Sequence, residues 1–154
     1  MSSDLQTLAD RALIIETIDR LFIATDNRDW PAVRKCFAPR VLFDMSSLGG
    51  GEPMHLTPDE IAAAWDGGLK PLRAVHHQTG NHIVRIAGDT AEAFCYGIAI
   101  HYLPNPENKN TRTFVGSYDF SLVKAAGGWT IKAFRFNLKY IDGNVNLEHP
   151  APGG

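Results

Sequence analysis

Three side chains able to move protons stand where the pattern of this chain calls for apolar ones. Asp26 closes a strongly apolar helical stretch, four residues after Phe22 and on the same stripe. His77 lies in a strand-like run from Ala74 to Ile86, and His101 ends a second run that opens at Ala91. Enclosed carboxylates and imidazoles are costly unless they pair. Paired, they are the usual equipment of general acid–base catalysis: an imidazole changes charge near neutral pH, and a carboxylate beside it selects its tautomer. The pattern therefore points to proton transfer in an enclosed site where the three groups converge.

Each residue also has a plainer reading. Asp26 could face water or cap the turn before Trp30, although Asp29 already supplies a cap there. His76, His77 and His82 could suggest a metal site. Adjacent side chains on a strand point to opposite faces, so this segment alone offers no three-imidazole face, and no metal is expected. Ala91, Ala93, Cys95, Gly97 and Ala99 share a face with His101 and are all small, while Phe94, Tyr96, Ile98, Ile100 and Tyr102 on the other face are bulky. A small-residue face leaves room for a pocket or for a closely packed helix. Tyr118 alternates with Phe114, Gly116, Phe120 and Leu122, which suits core packing as well as contact with a substrate. Arg135 and Asn137 alternate with Phe134, Phe136 and Leu138; Arg135 is assigned to solvent and Asn137 to the pocket as a hydrogen-bonder. Asp44 is expected to face outward.

The elements that must hold these groups read as helices first, strands after. Ser3 to Gln6 suggests a capping box with Ser3 as N-cap, opening a long helix through Ile14, Ile18, Leu21 and Thr25. Asp29 and Pro31 open a short second helix, and Thr57-Pro58-Asp59-Glu60 a third that Gly67 and Gly68 end. Val41 to Met45 reads as a short strand, and 46–56 as a loop. Four long runs follow, Ala74–Ile86, Thr90–Leu103, Arg112–Lys124 and Trp129–Ile141, separated by turn signals. Long strands joined by short turns make an antiparallel meander. The expected fold is α+β, a curled antiparallel sheet wrapped around three N-terminal helices, with one domain over 1–145 and a flexible tail over 146–154.

In order and spacing these pieces resemble the nuclear-transport-factor-2-like cone, and within it the SnoaL-like (polyketide cyclase-like) group that includes scytalone dehydratase. The resemblance runs from about residue 8 to residue 142. It rests on Ala24-Thr-Asp-Asn-Arg-Asp-Trp30, Val75-His-His-Gln-Thr-Gly-Asn-His82, Ala99-Ile-His101, and Gly116-Ser-Tyr-Asp-Phe-Ser-Leu-Val-Lys124 with Gly127-Gly-Trp129. It implies that His77 rather than His76 faces inward, that His101 falls on a second catalytic imidazole, and that Asp26 orients a histidine. It also places Thr25 and Met45 where the dehydratases carry two tyrosines. That departure weighs against scytalone itself and leaves dehydration, isomerisation and cyclisation open.

The chain has 154 residues, 44% apolar and 21% charged, with a net charge of −2. That composition fits one globular domain and offers no basic stripe for nucleic acid. Cys36 and Cys95 suit free thiols in a cytoplasmic protein, and neither a leader nor a membrane span is expected. No nucleophile elbow, phosphate loop or dinucleotide fingerprint occurs, so no cofactor is expected and hydride, phosphoryl and acyl transfer lack support. The leading expectation is a lyase or isomerase acting on a small apolar cyclic hydroxy-ketone. One imidazole would abstract a proton, and the second, held by Asp26, would protonate a leaving hydroxyl. Thr25, Met45, Tyr118 and Asn137 are the expected substrate contacts. The competing expectation is a non-catalytic binding or assembly module with a filled cone. In either case exposed sheet faces would pair, giving a homodimer or homotrimer.

Overall fold

The computed structural model describes residues 2–149. Helix α1 (Ser2–Asp26) is followed by α2 (Trp30–Lys35), β1 (Phe37–Asp44), a 3₁₀ turn at Ser46–Leu48, β2 (Met54–Leu56) and α3 (Pro58–Leu69). Four long strands complete the chain: β3 (Ala74–Ala87), β4 (Thr90–Tyr102), β5 (Thr111–Ala125) and β6 (Gly128–Gly143). The six strands form one curled, open sheet in the order β2-β1-β6-β5-β4-β3. This is the expected α+β cone.

Four sequence expectations need correction. Ser3 lies inside α1 rather than at its N-cap, since the helix is already formed at Ser2. The expected loop over 46–56 contains β2, which pairs with β1 as an antiparallel edge. The strand expected at Val41 begins at Phe37, and β1 runs parallel to β6, with an irregular register between Phe37 and Leu42. Helix α3 carries the full reciprocal cap between Thr57 and Glu60, but Gly67 and Gly68 do not end it: the helix runs through both to Leu69, and Lys70 follows in a right-handed conformation, so no left-handed glycine is needed there.

The apolar stripe of α1 lies in the concave face of the sheet. Ile14, Ile18 and Leu21 are fully buried there, against Cys95, Phe120, Leu122 and Ile131. Both cysteines are buried free thiols, and burial pushes them up, Cys36 to about 11 and Cys95 to about 12. Near its start α1 is pinned to the β5–β6 hairpin by Asp10, which accepts from Trp129 Nε1 at 3.0 Å and from Lys124 Nζ at 3.1 Å. At its end, Arg28 takes a left-handed φ of 56° and donates to the carbonyls of Leu69 and Leu72 at 3.1 and 2.6 Å. The end of α1 is thereby tied to the end of α3. No helix among the described residues is long and apolar enough to cross a membrane.

The segment expected to be flexible from residue 146 begins docked. Leu147 is buried in a small second core with Leu72 and Val75, and Glu148 ion-pairs with Arg112. The rest of that expectation, residues 150–154, lies outside the described residues.

Candidate active site

Asp26 is the last residue of α1, where the negative end of the helix dipole disfavours a carboxylate and where no basic residue occupies the last turn. What holds it is β3. Asp26 Oδ2 accepts the backbone N–H of His77 at 2.8 Å, and Oδ1 lies 2.6 Å from His77 Nδ1. A carboxylate on Nδ1 places the ring proton there and leaves Nε2 with a lone pair. The ring stacks on Phe22, with centroids 4.9 Å apart, one turn before Asp26 on the same helix. Only 13% of the His77 side chain and 16% of that of Asp26 are exposed. The ring is held at Nδ1, and no hydrogen bond engages Nε2 among the described residues.

His101 is held in the opposite sense. Val75 faces His101 across the β3–β4 ladder and His77 faces Ala99, so the two imidazoles share the concave face as diagonal neighbours. Such positions lie about 7 Å apart at the β-carbons. His101 Nδ1 is 2.8 Å from Arg112 Nη2, and Arg112 is its direct partner across the β4–β5 ladder. A guanidinium only donates, so Nδ1 must carry the lone pair and the ring proton sits on Nε2. Burial, then the Arg112 charge, then His77 push this imidazole down to about 4. Arg112 is itself met by Glu148, which accepts from Nη1 at 2.8 Å and also from Nη2.

Between the helices and the sheet lies an apolar cavity of about 240 Å³, walled by Phe22, Trp65, Phe114, Phe134 and Phe136, with His101 among its lining residues. Sites for drug-sized ligands run to roughly 300–1,000 Å³, so this one suits a compact molecule. A larger groove, about 580 Å³, runs between α1, α2 and Trp129 and holds no imidazole.

Of the expected substrate contacts, Thr25, Met45 and Tyr118 line this cavity. The Thr25 hydroxyl donates to the Leu21 carbonyl at 2.7 Å, so its proton is already committed. Burial pushes the Tyr118 phenol up and keeps it protonated. Its ring crosses β4 at Gly97, where a β-carbon would overlap it. Asn137 does not belong to the cavity. It alternates with Phe134 and Phe136, which do line it, and so occupies the other face of β6, donating to Asp119 Oδ2 at 2.8 Å. Arg135 joins the same outer cluster, 3.0 Å from Asp119, and Asp44 accepts from Ser46 in the turn after β1. His76 is exposed, and His82 approaches Asp19 at 3.5 Å. No group of three His, Cys, Asp or Glu among the described residues is placed to hold a metal.

Sequence reasoning missed Arg112 and Glu148. Arg112 had a signal: the Tyr102–Thr111 closure of the hairpin sets it opposite His101. Glu148 had none, lying 36 residues from Arg112 in a segment without periodicity.

Residues 6–135 match the family of the SnoaL-like domain. The chain belongs to that family. The SnoaL-like domain also shares its fold with many solved structures. A protein from Kribbella flavida, Kfla4162, is 27% identical with a TM-score of 0.87, over 92% of this chain and 98% of that one. A scytalone dehydratase candidate from Novosphingobium aromaticivorans is 14% identical with a TM-score of 0.80, over 94% and 92% of the two chains. The hexachlorocyclohexane dehydrochlorinase LinA-type3 from Novosphingobium barchaimii is 16% identical with a TM-score of 0.76, over 97% and 99%. A search of functionally curated proteins finds no match. The last two likenesses establish the nuclear-transport-factor-2-like cone and no more.

Proposed function

We propose that this SnoaL-like domain is a cofactor-free lyase or isomerase acting on a compact cyclic ketone or hydroxy-ketone. The observation that carries the reading is the pair of opposite tautomers on one concave face: His77 with a free lone pair, His101 with a free N–H. His77 Nε2 takes the proton from the carbon beside a carbonyl, and the C–H electrons form the enolate. Asp26 stabilises the resulting imidazolium. The neutral His101 donates its Nε2–H to the enolate oxygen, as a neutral imidazole can when its environment keeps it uncharged. The His77 imidazolium then returns its proton, either to a leaving hydroxyl as water departs or to another carbon.

This alters the expected division of labour. Asp26 holds His77, and His101 is kept from becoming the imidazolium that would protonate a leaving group. One histidine both takes and returns the proton. The cavity supports the enzyme over the binding module, which called for a filled cone. Two structural neighbours with names denoting elimination, a dehydratase candidate and a dehydrochlorinase, lend the reading further support.

The test is exchange and turnover across a panel of cyclic ketones and hydroxy-ketones in D₂O, followed by NMR. Wild type should wash deuterium into the α-carbon of at least one member, and His77→Ala should not. Equal exchange by both proteins on every substrate that reacts removes His77 as the base.

A further inference from the structure

The chain leaves β6 through Gly143, at a φ of +87°, and a β-carbon there would run into the Thr111 carbonyl. A glycine is required because the chain turns in the left-handed region against the start of β5. Asn144 then fastens the turn, its N–H donating to the Thr111 carbonyl at 2.8 Å and its Nδ2 to the Lys109 carbonyl at 3.0 Å. Four residues after Gly143, Leu147 is 2% exposed, packed with Leu72 and Val75. Val75 is the residue opposite His101 in the β3–β4 ladder. The next residue, Glu148, grips both Nη atoms of Arg112. Both Nη atoms are engaged, Nη1 by Glu148 and Nη2 by Glu148 and His101, and Arg112 Nε is left buried without a partner among the described residues.

We propose that Arg112 and Glu148 are positioning residues for His101: docking of the C-terminal segment brings Glu148 onto Arg112, and Arg112, by donating to Nδ1, fixes His101 as the Nε2–H tautomer. The role given to that tautomer rests on the proposed function; the fixing itself does not. The pair is 12% and 16% exposed, so neither charge is well solvated alone. A buried guanidinium without its carboxylate would turn toward water and release Nδ1. A Glu148 without its arginine would become a bare carboxylate near an imidazole and favour the protonated ring. The pair is needed as a pair. The other charged groups facing His101 are Asp26 from α1 and His77 from β3. Asp26 is already engaged with both the ring and the backbone of His77.

The test is a titration of the full chain, uniformly ¹⁵N-labelled, with the tautomer of each imidazole read from long-range proton–nitrogen spectra. In wild type, His101 should remain a single Nε2–H tautomer from pH 8 to pH 5. In Arg112→Met it should titrate about one pH unit higher or more, because a donor is lost and a carboxylate is freed. The double variant Arg112→Met/Glu148→Met removes both charges and keeps the packing bulk. There His101 should show both neutral tautomers, with a smaller upward movement. Glu148→Asp, which keeps the charge on a shorter stem, should restore part of the wild-type spectrum relative to Glu148→Gln. His101 remaining the pure Nε2–H tautomer with an unmoved titration in the double variant would overturn the proposal and reduce the pair to a tie for the chain end. The readout needs no turnover, so it separates from the test of His77: released tautomers support the positioning role even where His77→Ala leaves exchange intact.

Discussion

Helix α1 carries a buried carboxylate near its start and a half-buried one at its end, and the two have different company. Asp10 is 5% exposed and accepts from an indole N–H, an ammonium and, at 3.3 Å, the Gln6 amide. Asp26 accepts from the backbone and the ring of a single histidine. Both acids are satisfied, and both tie the helix to the sheet. The partners of Asp10 hold their protons throughout the neutral range, so its network has nothing to pass on. The partner of Asp26 is an imidazole with a second ring nitrogen, and its ring stacks on Phe22, a residue of the cavity wall. What separates the two acids is the donor each one meets: an indole, an ammonium and an amide offer no second ring nitrogen, and an imidazole does.

The largest expected break comes from His77. His77→Ala should lower turnover of any substrate found by about 10²–10⁴-fold, and Asp26→Asn should fall in the same range or just below it, since one general base is lost or mistuned. Asp10→Asn should leave turnover at the wild-type level, measured on the same substrate. Equal loss from both carboxylates would erase the distinction between the two ends.

A core residue between the ends sharpens the comparison from the other side. Ile18 is fully buried, and Ile18→Ala should destabilise the fold by about 2–5 kcal/mol in urea unfolding. The pH profile of turnover should keep its shape, because no proton donor has moved.

Linkage gives the next effect. His101 has its affinity for a proton pushed from an ordinary 6.5 down to about 4 in the fold. The unfolded chain therefore binds a proton that the folded chain refuses. Stability is complete above pH 6.5 and falls as the pH drops toward 4, by roughly 2–3 kcal/mol. His101→Gln should flatten that limb in unfolding curves recorded at pH 7, 5.5 and 4.5.

Asp10 supplies the smallest effect, in a different window. The Trp129 indole N–H, with help from Lys124, holds its carboxyl below the ordinary 3.8. Its contribution is present above that value and is lost as the pH falls through the lowered one. Asp10→Asn should lower the unfolding midpoint at pH 7 and blunt the fall below pH 4, leaving the limb due to His101 in place.

Much of this was legible because it follows local rules. The small-residue face of β4 does line the concave side, where Ala91, Ala93, Cys95 and Ala99 are buried. The N-cap and proline of α3 stand as their residue types dictate, whereas its end does not, since the helix continues through Gly67 and Gly68. Asp26 betrayed itself as a polar group on an apolar stripe, and the family resemblance singled out His77 over His76. Asn137 went wrong because alternation fixes which residues share a face but not which face is concave; an apolar cavity takes the Phe134–Phe136 side. The parallel pairing of β1 with β6 and the grip of Glu148 on Arg112 depend on contacts between distant segments, which no local period encodes. The partner of His101 was hidden for the same reason, since a neighbouring strand supplies the guanidinium that meets its Nδ1.

The hydrogen bond from the His77 backbone to Asp26 has one more consequence. Strand β3 is an edge of the open sheet, and an edge offers unpaired N–H groups to any passing strand. Asp26 occupies one of those groups, that of His77, near the start of the strand. The carboxylate that holds the imidazole therefore also withholds one edge N–H from strand-to-strand pairing. Replacing it with an apolar residue would leave a chain less soluble as well as less active.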